Sequence, residues 1–271
     1  MSENRNKEEL RQEGKGNYCY EYPRPSLTSD SVIFGFDGRK LKILLVERGV
    51  EPFKGCWALP GGFMKMNESI DECARRELQE ETGVDNVYLE QFHVFSDPGR
   101  DPRGRVVTVA FIALVRPEEY NVVGGDDASS ALWFDASELP PLAFDHREIV
   151  RKAREHLREM LKVKPLAFQL LDRQFSVDEL RKVYEEINGT AYDRRNFQRK
   201  LLQNDLVEEV EPEAECIMES RAAYECCCDE APEQTRKPSA RKLKKYSLKP
   251  RNKPADEDSD EEGSIKDLFN F

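Results

Sequence analysis

A chain of 271 residues has room for two modest domains, and 35% charged residues with a formal net charge of -11 describe a soluble protein. That acidity excludes a general attraction for nucleic acid, so any DNA contact must come from a local basic patch. No apolar run reaches membrane-spanning length, and the opening MSENRNKEELRQEGKG lacks the apolar core of a secretion signal, which predicts a cytoplasmic protein that avoids membranes. The seven cysteines fit a reducing compartment: Cys19, Cys56, Cys73 and Cys216 are scattered, and Cys226, Cys227 and Cys228 are adjacent. Neither arrangement has the spacing of a disulfide framework or a paired zinc site.

Residues 1–24 are polar and read as a mobile arm. SVIFGF, an Asp37-Gly38 turn and LKILLVER then predict a hairpin. Trp57, Leu59 and Pro60 lead through WALPGG, read as a strand, into Gly61 and Gly62, a pair that lets backbone approach a ligand or metal closely. The following segment is a helix with capping-box spacing at Ser69 and Glu72, a left-handed stop at Gly83 and an apolar face of Ile70, Ala74 and Leu78. Its polar face gathers Arg76, Glu77, Glu80 and Glu81. Clustered carboxylates repel one another unless a cation neutralises them, and oxygen-only ligands favour Mg2+ or Mn2+ over zinc. The alternative is a solvated, Glu-rich surface helix.

The full spacing runs from Gly62 through Glu68 to Arg76, Glu77, Leu78, Glu80, Glu81, Gly83 and Val84, and resembles a complete Nudix box. The resemblance implies an α/β class protein, a Nudix α/β/α sandwich with a mixed sheet that hydrolyses a nucleoside diphosphate linked to another group. It makes Glu77, Glu80 and Glu81, with the Gly62 backbone, the Mg2+ or Mn2+ ligands. Arg76 would orient a carboxylate, and Glu68 would add charge near the site.

After the helix, VYLEQFHVF and VVTVAFIALV read as strands. The loop SDPGRDPRGR between them carries Arg100, Arg103 and Arg105, and is either a solvated connection or a phosphate-binding element, since guanidinium forks suit phosphate oxygens. SDPGRDPRGRVVTVAF resembles the segment after the box in ADP-ribose pyrophosphatases, which implies ADP-ribose or a close relative as ligand, with Arg48, Arg100, Arg103 and Arg105 as substrate-binding residues. Glu118 or Glu119 is placed near the site. LWFDASELP reads as a late strand and turn, and FDHREIVRKAREHLREML as an amphipathic helix with Ile149, Ala153 and Leu157 inward. His146 and His156 read as packing or surface residues, because a histidine without clustered partners is rarely a ligand, although the FDHREI stretch that holds Asp145 and His146 resembles the same ADP-ribose group, a resemblance that assigns neither a role.

Residues 25–163 thus form the first unit, and 164–212 a second, with a wing reaching as far as about 250. PLAFQLL reads as a short apolar helix. Ser176 and Glu179 open a second helix that Asn188-Gly189 closes, and Asp193 caps a third with Phe197, Leu201 and Leu202 facing inward before the strand LVEEV. This order is that of a winged helix. Arg194, Arg195, Asn196, Arg199 and Lys200 lie on the outer side of the third helix, either as a DNA-reading surface or as solvated charge. The segment resembles the winged-helix domain of Nudix-related transcriptional regulators, which implies operator DNA as a partner, a homodimer, and a Nudix pocket that either hydrolyses its ligand or only senses it. Residues 213–271 read as a charged tail in which KKYSL is a candidate wing strand.

Overall fold

The computed structural model describes residues 22–120, 122, 128–204, 207–210 and 244–249. The Cys226–Cys228 run, the N-terminal arm through residue 21 and the charged blocks of the tail lie outside these residues. No helix among the described residues is long and apolar enough to cross a membrane.

Alternating apolar residues on β1 (Ser26–Phe36) and β2 (Leu41–Arg48) build both faces of one sheet. Val32, Phe34, Ile43 and Leu45 enter one core, while Ile33, Leu44 and Val46 enter the other. β1 runs parallel to β6 (Val106–Val115) and antiparallel to β2, so the seven-stranded sheet is mixed. β5 (Glu90–Phe95) closes one edge, and β7 (Ala128–Asp135) pairs with β2.

The WALPGG segment is two strands. β3 (Trp57–Ala58) pairs with β2, and β4 (Gly61–Phe63) pairs with β1, because Pro60 lacks an N–H and breaks the run between them. The first half of β1 therefore borders β4 and its second half borders β2, and the sheet forks between Asp30 and Phe34. That fork positions the site.

Helix α1 (Ile70–Thr82) buries Cys73, Ala74 and Leu78 on one face of the sheet. Both halves of its capping box are made, and Gly83 closes it at φ 73°. Helix α2 (His146–Leu161) covers the other face through Ile149, Val150, Ala153, Leu157 and Leu161. The same core continues into the C-terminal elements: a 3-10 turn at Leu166–Leu170, α3 (Val177–Asn188), α4 (Arg194–Gln203) and the hairpin of β8 (Val207–Val210) with β9 (Lys245–Leu248). KYSL is thus the wing's second strand, and it also pairs with Phe175.

Three local expectations change. PLAFQLL is a 3-10 turn, too short for α-helical spacing. Leu202 is 47% exposed, because it sits five residues beyond Phe197 and has rotated off the face that Phe197 and Leu201 bury. Glu119 lies at the far end of β1 from the fork, in a groove between Tyr88 and Phe168, and pairs with Arg116; its neighbour Pro117 packs over Gly35.

Candidate active site and its neighbours

The fork in the sheet opens a cleft of about 280 Å³. It is lined by the acids Glu77 and Glu81 from α1 and Asp30 from β1, and by Arg48 from β2 and Arg103 from the 96–105 loop, with Phe63 and Phe144. A Cβ on Gly62 would lie 2.5 Å from the Glu77 carboxyl, so a side chain there would push that acid out of its place. Gly61 adopts φ 157° and donates its N–H to Glu81 Oε2 at 2.8 Å.

Arg76 organises the rest of the acidic cluster. It donates to Glu68 at 2.6 and 2.8 Å, to Glu77 at 2.7 Å and to Glu80 at 3.0 Å. That contact holds the Glu68 carboxyl at about 2. Burial raises Glu77, against the pull of Arg76. Burial pushes Glu81 up to about 8, and the Gly61 N–H opposes this less than burial and the charges of Glu77 and Asp30 promote it. Glu80 does not line the cleft; its side chain is 55% exposed at the rim.

Among the described residues no three His, Cys, Asp or Glu side chains stand close enough together to hold an ion. The donor set nevertheless fits a hard divalent cation: the oxygens are carboxylate and backbone, Glu77 and Glu81 are half-buried, and their mutual repulsion is relieved by positive charge. Holding one would require Glu80 and Glu77 to leave Arg76.

The four arginines assigned to substrate divide. Arg48 and Arg103 face the cleft, and Phe144 lies between them, with Arg48 4.8 Å and Arg103 5.1 Å from its ring centre. Arg103 is also forked onto Asp101 and stacked 4.8 Å over Phe63. Arg100 borders the cleft but is committed: its side chain is 4% exposed and bonds Asp145 at 2.7 and 2.9 Å and Asp30 at 3.3 Å. Arg105 lies outside the cleft and donates to the Ser96 carbonyl, so the loop's arginines do not form one cationic cluster.

Sequence reasoning missed three residues here. Asp30 is buried in a polar run, Thr28-Ser29-Asp30-Ser31, that precedes the apolar half of β1, and such a buried polar run inside a strand is the signal that could have marked it. His146, read as packing or surface, is buried and also lines the cleft: its Nδ1 accepts the Leu59 N–H at 2.9 Å, and burial lowers its pKa. Phe144 holds φ 51° and meets Phe53, at φ 66°, edge to face at 4.9 Å. Two non-glycine residues in left-handed backbone beside a cleft are the kind of local strain that collects at functional sites.

On the second unit, Arg194, Arg195, Asn196 and Arg199 are exposed along α4, and Lys200 is half-buried. Arg194 pairs with Asp178 at 2.9 Å, and Arg199 donates to the Asn196 side chain at 2.6 Å.

Comparison with known proteins agrees with this architecture. Residues 26–153 match the NUDIX domain model and 167–224 the NrtR DNA-binding winged helix domain model. An "ADPR responsive transcriptional repressor NtrR" from Acinetobacter baylyi is 34% identical over 194 residues, 70% of this chain and 78% of that protein. An "ADP-ribose pyrophosphatase" from Methanocaldococcus jannaschii is 43% identical over 130 residues, 48% of this chain and 73% of that protein. The crystal structure of Shewanella oneidensis NrtR complexed with a 27mer DNA superposes with a TM-score of 0.63 at 30% identity, covering 82% of this chain and 93% of the other. The chain therefore belongs to the Nudix family, in the branch whose Nudix domain is followed by an NrtR-type winged helix.

Proposed function

We propose that the cleft binds ADP-ribose or a close relative and, with Mg2+ or Mn2+, hydrolyses its pyrophosphate to AMP and ribose 5-phosphate, while α4 binds operator DNA. The observation that carries the catalytic half is the cleft itself, in which Glu77 and Glu81 share about 280 Å³ with Arg48 and Arg103. The named Methanocaldococcus pyrophosphatase supports the substrate class.

Divalent cations held by Glu77, Glu80, Glu81 and the Gly62 carbonyl would neutralise phosphate oxygens and make the bridge a better electrophile. The chain's own groups do the remaining work. Arg76 holds the carboxylates in register, Arg48 and Arg103, seated against Phe144, supply planar donors for phosphate or ribose oxygens, and the exposed Phe63 offers an apolar surface to a base.

Turnover of ADP-ribose with Mg2+ tests this reading. Glu80→Gln is expected to lower kcat about 100-fold or more, equivalent to about 2.7 kcal/mol of barrier, and to leave thermal stability unchanged because Glu80 is exposed. Wild-type protein that releases no AMP would refute hydrolysis.

A second reading, a sensor that turns its ligand over slowly, is supported by the ties that hold Glu77 and Glu80 on Arg76 and by the similarity to the Acinetobacter repressor. In both readings the protein acts as a cytoplasmic homodimer on paired half-sites. Arg195→Ala with Arg199→Ala should weaken DNA binding and reduce the salt slope by about two phosphate contacts. Electrophoretic mobility shift across a salt series measures it, and unchanged binding would leave α4 without a DNA role.

A further inference from the structure

The turn that carries Gly61 and Gly62 is fastened residue by residue, and each fastening comes from a different element. The Pro60 carbonyl accepts the Ser31 N–H at 2.9 Å, which ties the turn to the sheet. The Gly61 N–H goes to Glu81 at 2.8 Å, which ties it to α1. The Leu59 N–H goes to His146 Nδ1 at 2.9 Å, the first residue of α2.

Leu59 is 2% exposed and His146 is 4% exposed, so water cannot replace that last bond. Because Nδ1 accepts, the ring proton sits on Nε2, which lies 3.6 Å from Asp30 Oδ1, beyond hydrogen-bond distance but close enough for the carboxylate to attract it. Asp30 is the register partner of Gly61, so the ring bonds the turn at Leu59 and lies beside the strand that pairs with Gly61. A packing histidine needs neither contact; an apolar side chain would fill the space as well.

We propose that His146 is a positioning residue, whose acceptor nitrogen fixes the Leu59–Gly62 turn and so aims the Gly61 N–H at Glu81 and sets the Gly62 backbone against Glu77. The proposal rests on the metal-site reading above and adds to it a residue from outside the Nudix box. Removing the acceptor leaves a buried N–H without a partner, and the turn shifts to satisfy it. The carboxylates it frames then lose their placement.

His146→Asn, His146→Gln and His146→Ala in the full-length protein test this, with folding checked by circular dichroism. Asn sets its side-chain oxygen where Nδ1 stands, whereas Gln reaches the Nε2 position. Mn2+ affinity by titration calorimetry should follow wild type and Asn above Gln and Ala, the latter pair weaker by about 10- to 100-fold. Amide exchange at Leu59 and Gly61 should quicken in the same order, and kcat for ADP-ribose should fall while KM changes little.

Gln matching Asn, or Ala retaining wild-type Mn2+ affinity and slow Leu59 exchange, would overturn the proposal. If Ala does not fold, the Asn and Gln pair decides. Wild-type protein that binds no Mn2+ would sink the metal-site reading, and Leu59 exchange would still test the brace.

Discussion

Glu81 carries the sharpest electrostatic conflict among the described residues. It is a carboxylate buried beside Glu77 and Asp30, with one backbone N–H as its direct donor, and its pKa rises to about 8. The sign of the consequence follows from linkage. The folded state holds this proton more tightly than the unfolded chain, so in metal-free protein stability is lost as pH rises from the ordinary carboxylate range toward 8. The slope reaches about 1.4 kcal/mol per pH unit within that window. Denaturant midpoints of metal-free protein between pH 5 and pH 8 should fall accordingly, and Glu81→Gln should flatten the trend. Glu68 shows the opposite physics under the same helix: Arg76 holds it at about 2, so it stays ionised throughout that range. One guanidinium thus separates acids that the sequence presents as equivalent.

Among elements, the short strand β4 does more than its three residues suggest. It brings Gly61 and Gly62 against β1 and α1 together, and both lack a side chain for steric reasons: a Cβ on Gly61 would fall 2.1 Å from the Ser29 carbonyl. Gly61→Ala is therefore expected to cost at least about 2 kcal/mol, from its φ of 157° as well as the clash. Thermal melting measures that cost, and a midpoint equal to wild type would show that the turn is not held as described. The sequence made this element legible as a motif and α1 legible in detail, down to the Ser69 and Gly83 caps, because caps and helical periodicity are local. It did not reveal that WALPGG breaks into two strands with different partners. That division depends on where β1 stops pairing with β4 and starts pairing with β2.

Across the whole molecule, the two units share one core. The cluster under α2 runs from Val32 and Ile43 through Leu157 to Leu180, Tyr184, Phe197 and Tyr246. Polar bonds cross the same boundary: Arg158 donates to the Ile187 carbonyl at 2.7 Å, and the Leu41 N–H donates to Glu186 at 3.2 Å. Tyr184 in turn packs edge-on to Phe197 at 5.6 Å, which seats α4. Calorimetry should therefore show one cooperative unfolding transition for both units, and two resolved transitions would contradict a shared core. Helix α2 starts beside the cleft, with Asp145 as its cap and His146 as its first residue, and ends against α3, so one rigid element spans from the cleft to the second unit.

The chain order of strands and helices, the capped ends of α1 and α3, the Nudix box and the basic face of α4 were all determined by the sequence, because each depends on residues a few positions apart. Which arginines remain turned toward the cleft was decided only by tertiary structure: Asp145, 45 residues from Arg100, claims that guanidinium, whereas Arg48 and Arg103 keep theirs at the cleft. The same holds for Asp30 and His146, 116 positions apart in sequence numbering and 3.6 Å apart in space. Local patterns record what a residue's neighbours along the chain require, and a buried polar pair takes its meaning from groups that only folding brings together.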